Sequence, residues 1–159
     1  MRIIMISDTH GMHRNLEILL EKETERNMMF HMGDVEGGEY YIEETAQCPL
    51  HIVAGNNDFF TDLPREDEFI LKGKRFWLTH GHSYYVSAGE DRIKKEARRR
   101  GVDVVVYGHT HRPSVSIEDD LLIMNPGSLS HPRQKGRRPS YIVMELREGK
   151  EPDIEIKYL

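Results

Sequence analysis

The chain of 159 residues has one cysteine, Cys48, and therefore neither an internal disulfide nor a multi-cysteine zinc site. Cys48 precedes Pro49 without any catalytic signature around it, so it reads as a structural or exposed thiol. Long apolar runs are missing too. No stretch approaches the roughly 18 residues that a membrane-spanning helix requires, which excludes a helical membrane protein. The opening MRIIMIS is too short for the apolar core of a secretion signal and runs directly into SDTH. It reads as a first strand, and a reducing cytoplasm is the expected location. Basic residues are outnumbered, 22 Lys and Arg against 27 Asp and Glu, for a formal net charge of −5. That balance gives no strong nucleic-acid signal. Internal repeats, low-complexity tracts and linker-like stretches are absent, so residues 1–159 read as a single domain.

What is present is patterned. Arg2–Ser7, Met28–Met32 and Leu50–Ala54 are short apolar runs separated by helical periodicity. Leu16, Leu19 and Leu20 define one face of a helix expected to end near Arg26, and a second helix fits Tyr40–Ala46. Strands alternating with helices point to parallel βαβ units. The second half shifts to hairpin signals: Phe69–Leu71 with Arg75–Thr79 around Lys72-Gly73-Lys74, Ser114–Glu118 with Leu121–Met124, and Tyr141–Leu146 with Ile154–Tyr158. A helix over Glu90–Arg100 ends at Gly101 in a C-cap role, with Arg98–Arg100 suited to the dipole there, and Val102–Tyr107 is a buried strand. The fold class expected is α/β, with two mixed sheets face to face and helices outside.

Most of these strands run into polar residues that a buried strand end does not tolerate unaided. The clusters are Asp8-Thr-His10, Gly33-Asp34, Gly55-Asn56-Asn57-Asp58, His80-Gly81-His82 and His109-Thr-His111. In extended backbone, side chains two apart point the same way, so D-x-H and H-x-H can each present a pair of ligands. In parallel α/β sheets, sites lie beyond the C-terminal strand ends, so the five clusters are expected to meet. Any one of them alone is ordinary turn chemistry. Together, two Asp, one Asn and four His would form an unsatisfied polar nest unless a cation joins them. Seven donors exceed the needs of one tetrahedral zinc. They suit two ions that share a bridging carboxylate, and mixed O/N donors without thiolate fit Mn²⁺, Fe²⁺ or Zn²⁺.

In this order, D-x-H, G-D, G-N-x-D, H-G-H and G-H-T-H resemble the calcineurin-like metallophosphoesterase superfamily. SDTHG, GNND, THGH, GHTHRP and NPGSLSHPR are similar to its small prokaryotic YfcE-type phosphodiesterase branch. The resemblance implies a four-layer α/β/β/α sandwich. It assigns Asp8, His10 and His111 to one ion, and Asn56, His80 and His109 to the other, with Asp34 bridging. It implies two divalent ions (Mn first; Ni, Fe, Zn or Mg as alternatives) and hydrolysis of a small phosphodiester or nucleotide-like substrate by in-line attack of a metal-bridging hydroxide. A phosphomonoesterase and a catalytically weak scaffold, like the related retromer sorting subunit, are the alternatives; a homo-oligomer stays open.

The chain departs from the superfamily at Asn57, where many members carry a histidine that contacts phosphate and protonates the leaving group. An amide donates a hydrogen bond but supplies no proton near pH 7. Asn57 is therefore expected at the catalytic centre and as a substrate contact, favouring aryl over alkyl leaving groups. His82 and His13 are candidates to replace the acid; His82 is placed with the catalytic residues and His13 read as a solvent-facing residue near a helix start. Asp58 is placed with the catalytic residues too, expected to orient its loop or a ligand histidine. Gly127 and Ser128 are expected to turn amides toward phosphate, and Arg133 to bind it. His31 and His51 read as satisfied sheet residues.

Overall fold

The computed structural model describes residues 1–159. Its first sheet runs in the order β10 (Asp153–Tyr158), β9 (Ser140–Glu145), β1 (Arg2–Ile6), β2 (Met28–His31) and β3 (Leu50–Ile52). The last three are parallel and the other pairings antiparallel. The second sheet runs β4 (Glu66–Leu71), β5 (Lys74–Thr79), β6 (Val104–Val106), β8 (Leu121–Asn125) and β7 (Ser114–Glu118). Here β5, β6 and β8 are parallel, flanked by antiparallel edge strands.

Alternation along the central strands builds the layers. Ile3 and Met5 of β1 face the second sheet, sharing a core with Phe30, Phe76, Leu78, Val104, Val106 and Met124. Ile4 and Ile6 point the other way, onto Leu16 and Leu19 of α1 (Arg14–Lys22) and Ile42 and Ala46 of α2 (Glu39–Ala46). On the far side, Trp77, Val105 and Ile123 pack on Ile93 and Ala97 of α3 (Asp91–Arg100). Strands apolar on both faces must be covered on both faces. The result is the expected four-layer α/β/β/α sandwich.

Several boundaries differ from expectation, among them β4, which starts at Glu66 rather than Phe69, and β6, which covers Val104–Val106 rather than Val102–Tyr107; two of the differences have a plain local cause. α1 stops at Lys22 rather than near Arg26, because Arg26 caps instead of extending the helix. Its guanidinium donates to the carbonyls of Leu20 (3.1 Å) and Glu23 (2.9 Å), and to that of Ala46 at the end of α2 (2.9 Å). One arginine thus satisfies carbonyls at two helix ends. β3 ends at Ile52, since Ala54 N–H turns away to Pro64 O at 2.8 Å. Gly101 closes α3 in the left-handed region at φ 66°, as its sequence position implied.

Candidate metal centre

All five polar clusters gather where the two sheets meet. They follow β1, β2, β3, β5 and β6, the C-terminal ends of parallel strands. Backbone bonds lock the loops together: Asp8 N–H donates to Gly33 O (3.0 Å), His10 N–H to Asp34 O (2.9 Å) and Gly108 N–H to His80 O (3.1 Å). His109 N–H reaches across to Asp8 Oδ2 at 3.2 Å, joining one sheet to the other. Glycine is required at two contacts. A Cβ on Gly55 would lie 2.1 Å from Asp34 Oδ1, and one on Gly108 would lie 2.1 Å from Ser7 Oγ.

Asp8 and His10 do not share an extended segment as expected. Asp8 (φ 56°), His10 (48°), Asp34 (56°), His109 (67°) and His111 (57°) all occupy the left-handed region. Non-glycine residues there cost on the order of 1 kcal/mol each, and such strain concentrates at functional sites. The side chains converge through these turns rather than through strand periodicity.

The seven expected donors divide into clear roles. Asp8, Asp34, His80 and His111 are buried, while His10, Asn56 and His109 are half-buried. Asp8 Oδ1, His10 Nε2 and His111 Nε2 form one compact triad; Asp8, Asp34 and His80 form a second. Asp34 Oδ2 lies between the groups, 4.0 Å from His10 Nε2 and 3.5 Å from His80 Nε2. Asp8 is common to both triads, which the expected assignment did not anticipate. Asn56 Oδ1 stands 3.1 Å from His80 Nε2. His109 is less engaged: its ring lies 5.2 Å from that of His80, outside both triads.

Three imidazoles are oriented alike. His80 Nδ1 donates to Met32 O (2.6 Å), His111 Nδ1 to His131 O (2.6 Å) and His10 Nδ1 to the Glu36 carboxylate (2.7 Å). With that proton turned outward, each neutral ring presents an Nε2 lone pair inward, where it meets Asp8, Asp34 or Asn56 oxygens. Acceptors facing acceptors repel unless a cation lies between them. His10 Nε2 is accordingly buried without a hydrogen-bond partner. This is how metal-ligating histidines are held, and the donor set fits divalent ions.

Where no cation intervenes, His111 and Asp8 pair directly instead, Nε2 to Oδ1 at 3.0 Å. Burial works to raise the Asp8 carboxyl, but His111, His80 and the Ser7 hydroxyl outweigh it and hold it below the ordinary carboxylate value. Burial opposes charge on His111, yet its contact with Asp8 lifts it above the usual imidazole value. Burial and the neighbouring His80 push His109 and His82 down.

The remaining expected residues are placed as follows. Asn57 is at the centre, donating to Asp34 through its backbone and side chain, both at 2.9 Å. It also lines a cavity of about 460 Å³ with Glu36, Asp58, Phe59 and Phe60. Asp58 accepts from the amides of Val35 (3.2 Å), Glu36 (2.7 Å) and Gly55 (2.7 Å), so it positions the loops and touches no ligand histidine. His82 lies beside the centre, 5.4 Å from His80 between ring centroids, with Nδ1 unpartnered. His13 is half-buried and stacked on Tyr41 at 4.1 Å, rather than facing solvent.

The glycine-serine loop differs from expectation. Gly127 N–H is committed to Asn125 Oδ1 at 2.8 Å, so it does not face phosphate. Ser128 is fully buried; its hydroxyl donates to Asp8 O and accepts from the amides of Ser130 and His131. It clamps the Asp8 turn. Arg133 is exposed, with its backbone N–H on His111 O at 2.9 Å. His31 and His51 are satisfied sheet residues, bonded to Thr9 Oγ1 and Gly33 N–H, and to Asp67, respectively. Sequence reasoning missed Glu36 and His131. The signal for Glu36 was a carboxylate two residues past Asp34; His131 orients His111 through its carbonyl, which any residue carries.

A model of the calcineurin-like phosphoesterase superfamily domain matches residues 1–149. A probable metallophosphoesterase of Bacillus subtilis is 32% identical over 149 residues, covering 92% of this chain and 85% of the relative. A phosphodiesterase of Methanocaldococcus jannaschii is 32% identical over 146 residues, covering 80% of this chain and 83% of its own. The crystal structure of a predicted phosphoesterase from Streptococcus pneumoniae superposes with a TM-score of 0.85 at 27% identity, covering 99% of this chain and 88% of the other.

Proposed function

The chain belongs to the calcineurin-like phosphoesterase superfamily and is a metal-dependent phosphoric ester hydrolase, and from that premise we propose a dinuclear phosphodiesterase. One domain over residues 1–159 would carry it. The observation behind this reading is the shared orientation of His10, His80 and His111, whose Nε2 atoms converge on the carboxylates of Asp8 and Asp34. Asp8, His10 and His111 would hold one ion; His80, Asn56 and His109 would hold the other, with Asp34 shared.

Held by these residues, two divalent ions would supply an activated water and charge stabilisation at a phosphoryl oxygen. Manganese, nickel, iron, zinc and magnesium all suit these donors. The chain's own contribution is position. Ser128 and the strand-end turns fix Asp8; Glu36, Met32 and His131 fix the rings; Asp58 and Asn57 fix the loop around Asp34. Asn57 can donate to a phosphoryl oxygen, yet it cannot protonate a departing alkoxide. A leaving group would occupy the cavity beside Asn57, with its apolar part on Phe59 and Phe60. A small diester with a stable leaving anion is the substrate this arrangement suits, and a cytoplasmic enzyme the corresponding setting.

The test is reconstitution with Mn²⁺, Ni²⁺, Zn²⁺ and Mg²⁺ separately, with elemental analysis and a panel of aryl phosphodiesters and monoesters. Two ions per chain and faster diester turnover are expected. One ion at full activity would overturn the dinuclear reading, and faster monoester turnover would make the protein a phosphomonoesterase. A loaded but inert protein would be a scaffold.

A further inference from the structure

Three arginines beside the metal centre have no carboxylate partner. Arg112, Arg133 and Arg137, with Ser130, His131 and Pro132, line a cavity of about 570 Å³ without a hydrophobic residue. Other arginines are held by carboxylates, as Arg2 is by Glu23 and Glu145 and Arg100 by Glu66 and Glu68, but what sets these three apart is that they share one polar opening. The chain carries five more acidic than basic residues, 27 against 22. Carboxylates are therefore plentiful, and none faces this opening. Like charges around one opening raise the local positive potential, which favours a bound anion.

The cavity is also tied to the metal centre. Arg112 follows His111 directly, and Arg133 N–H donates to His111 O at 2.9 Å. The ring of His131, which lines the cavity, stands 5.0 Å from that of His10. Guanidinium groups bind phosphate through paired N–H donors, and three around one opening suit a dianion better than a single negative charge.

We propose that this cavity is a second anion subsite, which holds a further phosphate group of the substrate while the scissile ester lies at the metal centre. The assignment rests on the phosphodiesterase reading above and narrows its substrate class. Phosphodiesters that carry an additional phosphate, as in a nucleotide phosphorylated at a second hydroxyl, become preferred over those with neutral arms.

A matched pair of substrates tests this: an aryl ester of a nucleoside 5′-phosphate, with and without a 3′-phosphate. The metal-loaded wild-type protein is expected to prefer the phosphorylated compound in kcat/KM by on the order of tenfold at low salt. The preference should shrink as salt rises. Arg112→Gln with Arg137→Gln should bring the ratio toward unity, and the corresponding lysine pair should retain part of it. A ratio near unity in the wild type, or one the glutamine pair leaves unchanged, would overturn the proposal.

Calorimetric titration of the full chain with pyrophosphate in chelator supplies a second reading, with circular dichroism to check that the variants fold. Weaker binding by the glutamine pair is expected, and equal binding would overturn the subsite. Arginine-dependent pyrophosphate binding with no effect on the substrate ratio would make this a site for a free anion and overturn its role in substrate choice. Hydrolysis of neither compound with any ion would overturn the phosphodiesterase reading instead, and the calorimetric difference alone would then decide whether the arginines hold an anion.

Discussion

Asn57 grips both oxygens of Asp34: its backbone N–H donates to Oδ1 and its side-chain Nδ2 to Oδ2, each at 2.9 Å. A histidine at this position would offer a proton to a leaving group, whereas the amide offers a fixed hydrogen bond and no proton. Rates should therefore fall steeply as the leaving group becomes more basic.

Asn57→His tests that account directly. General acid catalysis is typically worth about 10²–10⁴-fold, so the variant should raise turnover of alkyl phosphodiesters at least tenfold. Aryl esters with acidic phenol leaving groups should change only a few-fold. The measurement is the slope of log rate against leaving-group pKa. An unchanged slope would show that protonation of the leaving group is not what Asn57 limits.

Asp34 carries the second expectation. Its Oδ2 lies within 4.0 Å of His10 Nε2 and within 3.5 Å of His80 Nε2, so one carboxylate faces both groups of donors. Asp34→Asn keeps the shape and removes the charge. Bound metal should fall from two ions to one or none, and turnover by at least 10³-fold, on the scale of lost transition-state stabilisation. Two ions retained by elemental analysis would sink the bridging role.

The donors that gather at the candidate centre were legible in the sequence because each polar cluster follows a short apolar run directly. Asp8, Asp34, His80 and His109 all stand within three residues of a strand end, and the parallel order of those strands brings them together. Their backbone was not legible. D-x-H in extended conformation would aim Asp8 and His10 alike, yet both sit at positive φ, with their amides bonded to the carbonyls of Gly33 and Asp34 in a neighbouring loop. The same limit explains Gly127. Its sequence context looks like a phosphate loop, but Asn125 takes its amide in a local turn. The carbonyls of Met32 and His131, which orient His80 and His111, leave no side-chain signal at all.

Gly55 is a third point of leverage. A methyl group there would sit 2.1 Å from Asp34 Oδ1 and 2.4 Å from the Asp34 amide nitrogen, neither of which can yield without moving the carboxylate. Gly55→Ala should destabilise the protein by about 1–3 kcal/mol in urea denaturation, the range of overpacked cores. It should also lower metal stoichiometry, because the displaced group is the shared ligand. A variant that binds two ions at wild-type activity would refute this packing account.

His31 provides the pH dependence. It is fully buried; its Nδ1 accepts from Gly33 N–H at 3.1 Å, and its Nε2–H faces Thr9 Oγ1 at 3.0 Å. Both positions suit the neutral ring, and a second proton would set N–H against N–H at Gly33. Burial is the largest cause of a pKa pushed down to about 4, and the nearby carboxylates of Asp8 and Asp58 oppose it without cancelling it. In the unfolded chain the same group titrates near 6.5. Between those values the unfolded state binds a proton that the folded state refuses, so stability falls as pH falls from about 6.5 to about 4. The full effect is on the order of 3 kcal/mol, present above pH 6.5 and absent below pH 4. Urea denaturation in chelator from pH 7.5 to 4.5 should give His31→Gln a pH slope shallower than wild type by up to one proton. Chelation keeps metal release out of both curves. Parallel slopes would mean that His31 takes up its proton without unfolding the protein.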